Sequence, residues 1–163
     1  MNNLMLSKSF KFFTIIFMAV ALNACMNLGN LSYKQARVLK KEGFVLTDEG
    51  WTLALPERLL FDFDSFDITA DKQNELTHLA NQLHKYNLNK LKVVGHTDDL
   101  GEANYNQKLS EKRAQRVAQI FLEQGFNNNN IHIIGRGSKQ PLVVNDSDKN
   151  RAINRRVNIV IIP

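Results

Sequence analysis

His96-Thr97-Asp98-Asp99 packs three groups able to bind or transfer a proton or cation into four residues, and Arg113 stands fifteen positions beyond Asp98. The carboxylates follow directly on the apolar run 91–94, which reads as the end of a strand. A helical pattern then begins. At about 100° per residue, Asn106 and Arg113 point the same way, with Leu109 beside them. The core stripe of that helix is Ala114, Val117, Ala118 and Phe121, which leaves Arg113 on its flank. A strand-end carboxylate facing such an arginine has two uses. Joined directly, Asp98 and Arg113 form an ion pair that ties a loop to a helix. Held apart, they form a two-ended clamp for a ligand carrying one positive and one negative group. A third use takes His96, Asp98 and Asp99 as metal ligands or an acid/base set, since alternation along a strand aims His96 and Asp98 to one side. No second ligand cluster and no nucleophile–base pair accompanies them, so a metal-dependent hydrolase is the remote alternative, and neither enzyme activity nor a cofactor is expected.

The elements that must position these groups are legible from periodicity. Residues 71–86 form an amphipathic helix with Leu76, Leu79, Ala80 and Leu83 inward. A second helix spans 103–124 and stops at Gly125. Strands are expected at 59–63, 91–97, 131–135 and 156–162, the last alternating Val157, Ile159 and Ile161 toward the core. Upstream, 32–42 reads as a helix with Ser32 and Gln35 as a capping box and Gly43 as its stop. Short strands at 45–46 and 52–55 flank the turn Asp48-Glu49-Gly50. Residues 150–155 form a helical turn. Strands separated by helices imply an α+β chain, a two-layer sandwich with a mixed sheet of about four strands and helices on one face.

With 163 residues, 44% hydrophobic and 23% charged, the chain holds one domain with a real core. It opens with a polar stretch bearing Lys8 and Lys11, then an apolar run at 12–22, about half the length needed to cross a bilayer and right for a secretory signal. The run ends in Leu22-Asn23-Ala24-Cys25, at the only cysteine. Small Ala24 before that cysteine resembles a bacterial lipobox, with Cys25 acylated and anchoring the chain in the outer membrane, facing the periplasm. Without residues 1–24, 19 basic residues face 16 acidic ones, and they are scattered. Aromatics do not interleave with them, which argues against nucleic acid.

GHTDDLG, then YNQKLSEKRAQRV, then NRRVNIVI resemble the OmpA-type peptidoglycan-binding domain, also found in peptidoglycan-associated lipoproteins. The resemblance runs from about residue 59 to 162. It implies non-covalent binding of the meso-diaminopimelate end of the peptidoglycan stem peptide. Asp98 would take the ligand ammonium and Arg113 its carboxylate. Asn106 would hydrogen-bond the backbone, Leu109 would pack on the aliphatic chain, Arg155 would support the groove, and Phe63 and Asp64 would form its rim. On residue types alone, Asp64, Ser65 and Asp67 are equally good turn formers, and Arg155 is an equally good partner for nearby acids.

LSYKQARVLKKEGFVLTDEGW resembles a narrower group, the YfiB-type outer-membrane lipoproteins. For them the implied partner is a periplasmic repressor of an inner-membrane diguanylate cyclase. The alternative is a purely structural link between outer membrane and wall. The expected organisation is a signal peptide at 1–24, a lipidated tether at 25–31, an N-terminal helix and switch segment at 32–50, and the binding domain at 51–163.

Overall fold

The computed structural model describes residues 30–61 and 67–163. Cys25, Phe63 and Asp64 therefore lie outside the described residues.

Helix α1 (Tyr33–Lys41) starts where Ser32 accepts from the Gln35 backbone while the Gln35 side chain accepts from the Ser32 backbone. Both halves of the capping box are thus made. Gly43, at φ +87°, turns the chain out of the helix in a conformation that side-chain-bearing residues avoid. A hairpin follows, β1 (Val45–Thr47) and β2 (Gly50–Pro56). Pro56 ends the strand and opens a single helical turn, α2 (Glu57–Leu60). Then come α3 (Ala70–Lys85), β3 (Leu91–His96), α4 (Ala103–Glu123), β4 (Ile131–Gly135), α5 (Asp148–Asn154) and β5 (Arg156–Ile161).

The sheet has five strands in the order β1-β2-β5-β3-β4. Strand β5 lies antiparallel between β2 and β3, and β4 runs parallel to β3. The N-terminal hairpin joins the main sheet, giving one strand more than the four expected. The strand expected at 59–63 is not formed over its first half. Leu59 and Leu60 are helical, and Phe61 makes only an isolated bridge to Ile68. A proline directly before Glu57 supplies the pre-set φ of a helix start, and that local constraint overrides the apolar run.

Leu91 and Val93, Leu53 and Leu55, and Val157, Ile159 and Ile161 share one face of the sheet. Against it pack Ala36 and Leu39 of α1, Leu76, Leu79, Ala80 and Leu83 of α3, and Ala114, Val117, Ala118 and Phe121 of α4. The helix stripes read from the sequence are all buried. Val160, on the opposite face, is also fully buried, as suits a strand with a neighbour on each side. Gly95 and Gly135 are paired in the β3–β4 register. A Cβ on Gly95 would overlap the Ser110 carbonyl, and one on Gly135 would lie 2.7 Å from Glu111 N. These two glycines let α4 lie directly on the sheet, and α4 carries the arginine of the clamp.

Candidate functional site

Three strand ends converge at one edge of the molecule. The antiparallel register sets Pro56 of β2 opposite Arg156 of β5, and Arg156 opposite His96 of β3. One residue beyond the ladder, Glu57 faces Arg155, and the Glu57 N–H donates to the Arg155 carbonyl at 3.0 Å. Asp98 lies two residues past His96. Arg113 reaches the same place from α4.

Asp98 and Arg113 are both almost completely buried, at 7% and 8% exposure, yet they are not paired with each other. Asp98 Oδ2 accepts from Arg155 Nη1 at 2.5 Å, and Asp98 Oδ1 accepts from the Leu100 N–H at 3.1 Å. Arg113 Nη2 donates to Glu57 Oε1 at 2.6 Å. Arg155 Nε and Glu57 Oε2 close the series as an ion pair at 3.2 Å, without the alignment of a hydrogen bond. The result is a chain of alternating charge: Asp98, Arg155, Glu57, Arg113. The direct Asp98–Arg113 ion pair weighed from the sequence is therefore not formed, because each group finds a partner of its own. Arg113 also lies over the Phe61 ring, 5.6 Å from its centroid. Its Nε is buried and carries no hydrogen bond.

Asn106 is buried, and its side-chain amide donates to the Leu100 carbonyl at 2.8 Å. It thereby holds the 98–100 loop that presents Asp98. Leu109 is half-buried on the same helix, between Asn106 and Arg113. The loop enters α4 through Glu102, whose carboxylate accepts the Tyr105 N–H at 2.8 Å. Hydrogen bonds from the backbone N–H groups of Asn104 and Tyr105 hold the Glu102 carboxyl below its usual range. Arg155, about a third exposed, is the most open member of the charge chain.

His96 stands apart from this set. It is 2% exposed, and neither ring nitrogen has a hydrogen-bond partner. Burial first, and then the positive charges of Arg156 and Arg136, lower its pKa from 6.5 to about 3. Arg156 is itself lowered to about 10, chiefly by burial, and so stays charged at neutral pH. Asp99 is exposed. The structure thus separates the three groups that the sequence placed together, and among the described residues no cluster of three or more His, Cys, Asp or Glu could hold a metal ion. Two grooves lie elsewhere. One of about 570 Å³ is lined by Leu53, Leu55, Leu60 and Leu79, and one of about 670 Å³ lies over Thr52, Ala54 and Asn158.

Glu57 and Phe61 are the members that sequence reasoning missed. Glu57 is 56 positions from Arg113, so no local spacing links them. The available signal was the strand end itself: a carboxylate following Pro56, with the antiparallel partner strand preceded by Arg155.

The OmpA family model matches residues 60–155. The outer-membrane lipoprotein YfiB of Pseudomonas aeruginosa is 40% identical over 131 residues, which is 80% of this chain and 78% of that protein. Among solved structures, the periplasmic domain of Helicobacter pylori MotB matches with a TM-score of 0.62 at 31% identity, covering 71% of this chain and 78% of the other. The peptidoglycan-associated lipoprotein of Burkholderia pseudomallei matches with a TM-score of 0.57 at 26% identity, over 67% of this chain and 89% of the other. The matched stretch includes Asp98, Asn106, Leu109, Arg113 and Arg155, while Glu57 lies just outside it. A sandwich of this topology, matched in sequence across most of its length, leaves one assignment: the chain belongs to the OmpA family, among its outer-membrane lipoproteins.

Proposed function

We propose that the chain binds the diaminopimelate-bearing stem peptide of peptidoglycan without covalent attachment, from a body moored in the outer membrane through an acylated Cys25. One observation carries the reading. Asp98 and Arg113 are buried, opposite in charge and held apart, each turned to a separate partner. An α-amino acid end is zwitterionic, so an ammonium at Asp98 and a carboxylate at Arg113 answer both ends at once. Two opposed charges select it over a simple anion, and the fork of arginine suits a carboxylate better than a lysine would. Asn106 holds the loop, Leu109 offers an apolar contact to the aliphatic chain, and Arg155 supports the groove through its contact with Asp98. Phe63 and Asp64 complete the rim in this reading. The name of the Burkholderia relative, peptidoglycan-associated lipoprotein, supports the same ligand.

The test is sedimentation with purified sacculi. Asp98→Asn and Arg113→Gln should each weaken binding at least about tenfold, the loss expected for one desolvated charged hydrogen bond. Retention of both variants at wild-type level sinks the proposal.

The likeness to the YfiB lipoprotein supports a second layer, in which this wall binder sequesters a periplasmic repressor of a diguanylate cyclase when the envelope is stressed. Helix α1 and the hairpin are the segment for that role. Co-purification of a small periplasmic protein, lost on altering residues 32–51, supports signalling. A chain that pulls down sacculi and no such protein is a mechanical link alone.

A further inference from the structure

The charge chain at the strand ends resembles a ligand more than a brace. Arg155 places a positive group on Asp98, where the ligand ammonium is to sit, and Glu57 places a negative group on Arg113, where the ligand carboxylate is to sit. Glu57 and Arg155 are also partners of each other. Together they copy, with side chains of the protein, the plus and minus of the end group that the site is built to hold. We propose that Glu57 is the group a ligand displaces, and that the Glu57–Arg155 pair sets both the affinity of the site and its rejection of a simple anion; the inference rests on the binding reading given above.

The exchange balances. A ligand with both charges takes Asp98 from Arg155 and Arg113 from Glu57, and the displaced pair, already in contact, neutralises itself. A simple anion replaces one contact on Arg113 by another, gains nothing at Asp98, and leaves Glu57 with fewer partners. A carboxylate that is three-quarters buried and must share its one remaining arginine with Asp98 is costly. The hold on Arg113 is also incomplete. Glu57 takes only Nη2, at 2.6 Å, while Nε is buried and unpartnered. A ligand carboxylate lying side-on to Nε and Nη2 makes two hydrogen bonds where Glu57 makes one. The internal pair therefore keeps the arginine neutralised when the site is unliganded, yet yields to the better-fitting group. If the occupied-by-self state outweighs the open one by about tenfold, the apparent Kd is raised by the same factor.

Glu57 also has a route to the rest of the molecule. It directly follows β2, which pairs with β1, and these two strands follow α1. Through β2, Glu57 is continuous along the chain with the hairpin and with α1.

The experiment is calorimetry on the full mature chain with the tripeptide L-Ala-γ-D-Glu-meso-diaminopimelate and with the same tripeptide carrying a carboxamide in place of its terminal carboxylate. Glu57→Gln keeps the shape and removes the charge. It should bind the acid about tenfold tighter than wild type and the carboxamide with little gain, so that the preference for the acid widens. A brace that merely orients Arg113 predicts weaker binding instead. Equal or weaker binding of the acid by a folded Glu57→Gln overturns the proposal. A structure of the wild-type complex tests the same point independently: Glu57 Oε1 still 2.6 Å from Arg113 Nη2 with the tripeptide bound, as it is without ligand, overturns it as well. A wild type that takes up no tripeptide overturns this proposal and the binding reading together. Wild-type binding that Asp98→Asn abolishes and Glu57→Gln does not tighten refutes the role of Glu57 alone.

Discussion

In the proposed binding reading, Arg113 serves by its shape more than by its charge. It donates to Glu57 at 2.6 Å, stacks over Phe61 and keeps Nε free of protein partners. Lysine supplies the charge without the fork or the flat face. Arg113→Lys should therefore fold normally and still lose about tenfold in sacculus binding; wild-type affinity in that variant would show that charge alone suffices.

His96 is a liability of another kind. Its folded pKa of about 3 lies below the 6.5 of the unfolded chain. Between those values the unfolded state binds a proton that the native state refuses, so this residue makes stability fall as pH drops below 6.5. From pH 7 to pH 5 the loss is about 2 kcal/mol. His96→Phe should remove that share of the acid sensitivity, read from urea unfolding at the two pH values, and an unchanged difference between them would refute the assignment.

At the scale of elements, the contact between α4 and the β3–β4 pair fixes the distance from Arg113 to the strand ends. Two glycines set it, because the Ser110 and Glu111 backbone lies where a Cβ would be. Gly95→Ala must push the helix outward or distort the strand, at a cost of about 3 kcal/mol. A fall in the thermal midpoint of several degrees, together with weaker sacculus binding, is the expected outcome; an unaltered midpoint would mean that the helix shifts freely. The element read wrongly from the sequence lies beside this contact. Residues 59–63 carry the apolar run of a strand, but Pro56 and the acidic Glu57 set a helix start, and the short turn that results aims Glu57 at Arg113.

For the whole molecule, the acylation proposed at Cys25 makes the reach from that residue to the domain decisive. Helix α1 packs on the core through Ala36 and Leu39, and the Gln35 side chain donates to the Tyr86 carbonyl at 3.0 Å at the far end of α3. While it stays docked, the chain from Cys25 to Ser32 spans at most roughly 25 Å; released, the chain from Cys25 to Trp51 spans roughly 90 Å. Nine residues of isolated helix are too few to persist in water, so undocking also melts α1. Leu39→Asp, which puts a charge where a fully buried leucine sits, should give fast amide exchange over 33–41 with the helix lost, while Asp98, Asn106 and Arg113 keep their structure. Persistent protection of that helix would remove the basis for a switch.

What the amino-acid order determined unaided is whatever depends on neighbours along the chain. The capping box at Ser32 and Gln35, the stops at Gly43 and Gly125, the inward stripes of α3 and α4, and the alternation of β5 all follow from periods of two and 3.6 residues. The two ends of the clamp were legible for the same reason, since a strand, a loop and a helix in succession carry Asp98 and Arg113. Only the tertiary structure decided what those ends hold. Glu57 and Arg155 come to them from strand ends 56 and 57 positions away, through the antiparallel registers of β2 and β3 on β5. It also decided that His96 sits opposite Arg156 in the ladder, buried and without a hydrogen-bond partner. Partner choice among charges depends on distance in space and on the water excluded around them, and neither is written in local spacing.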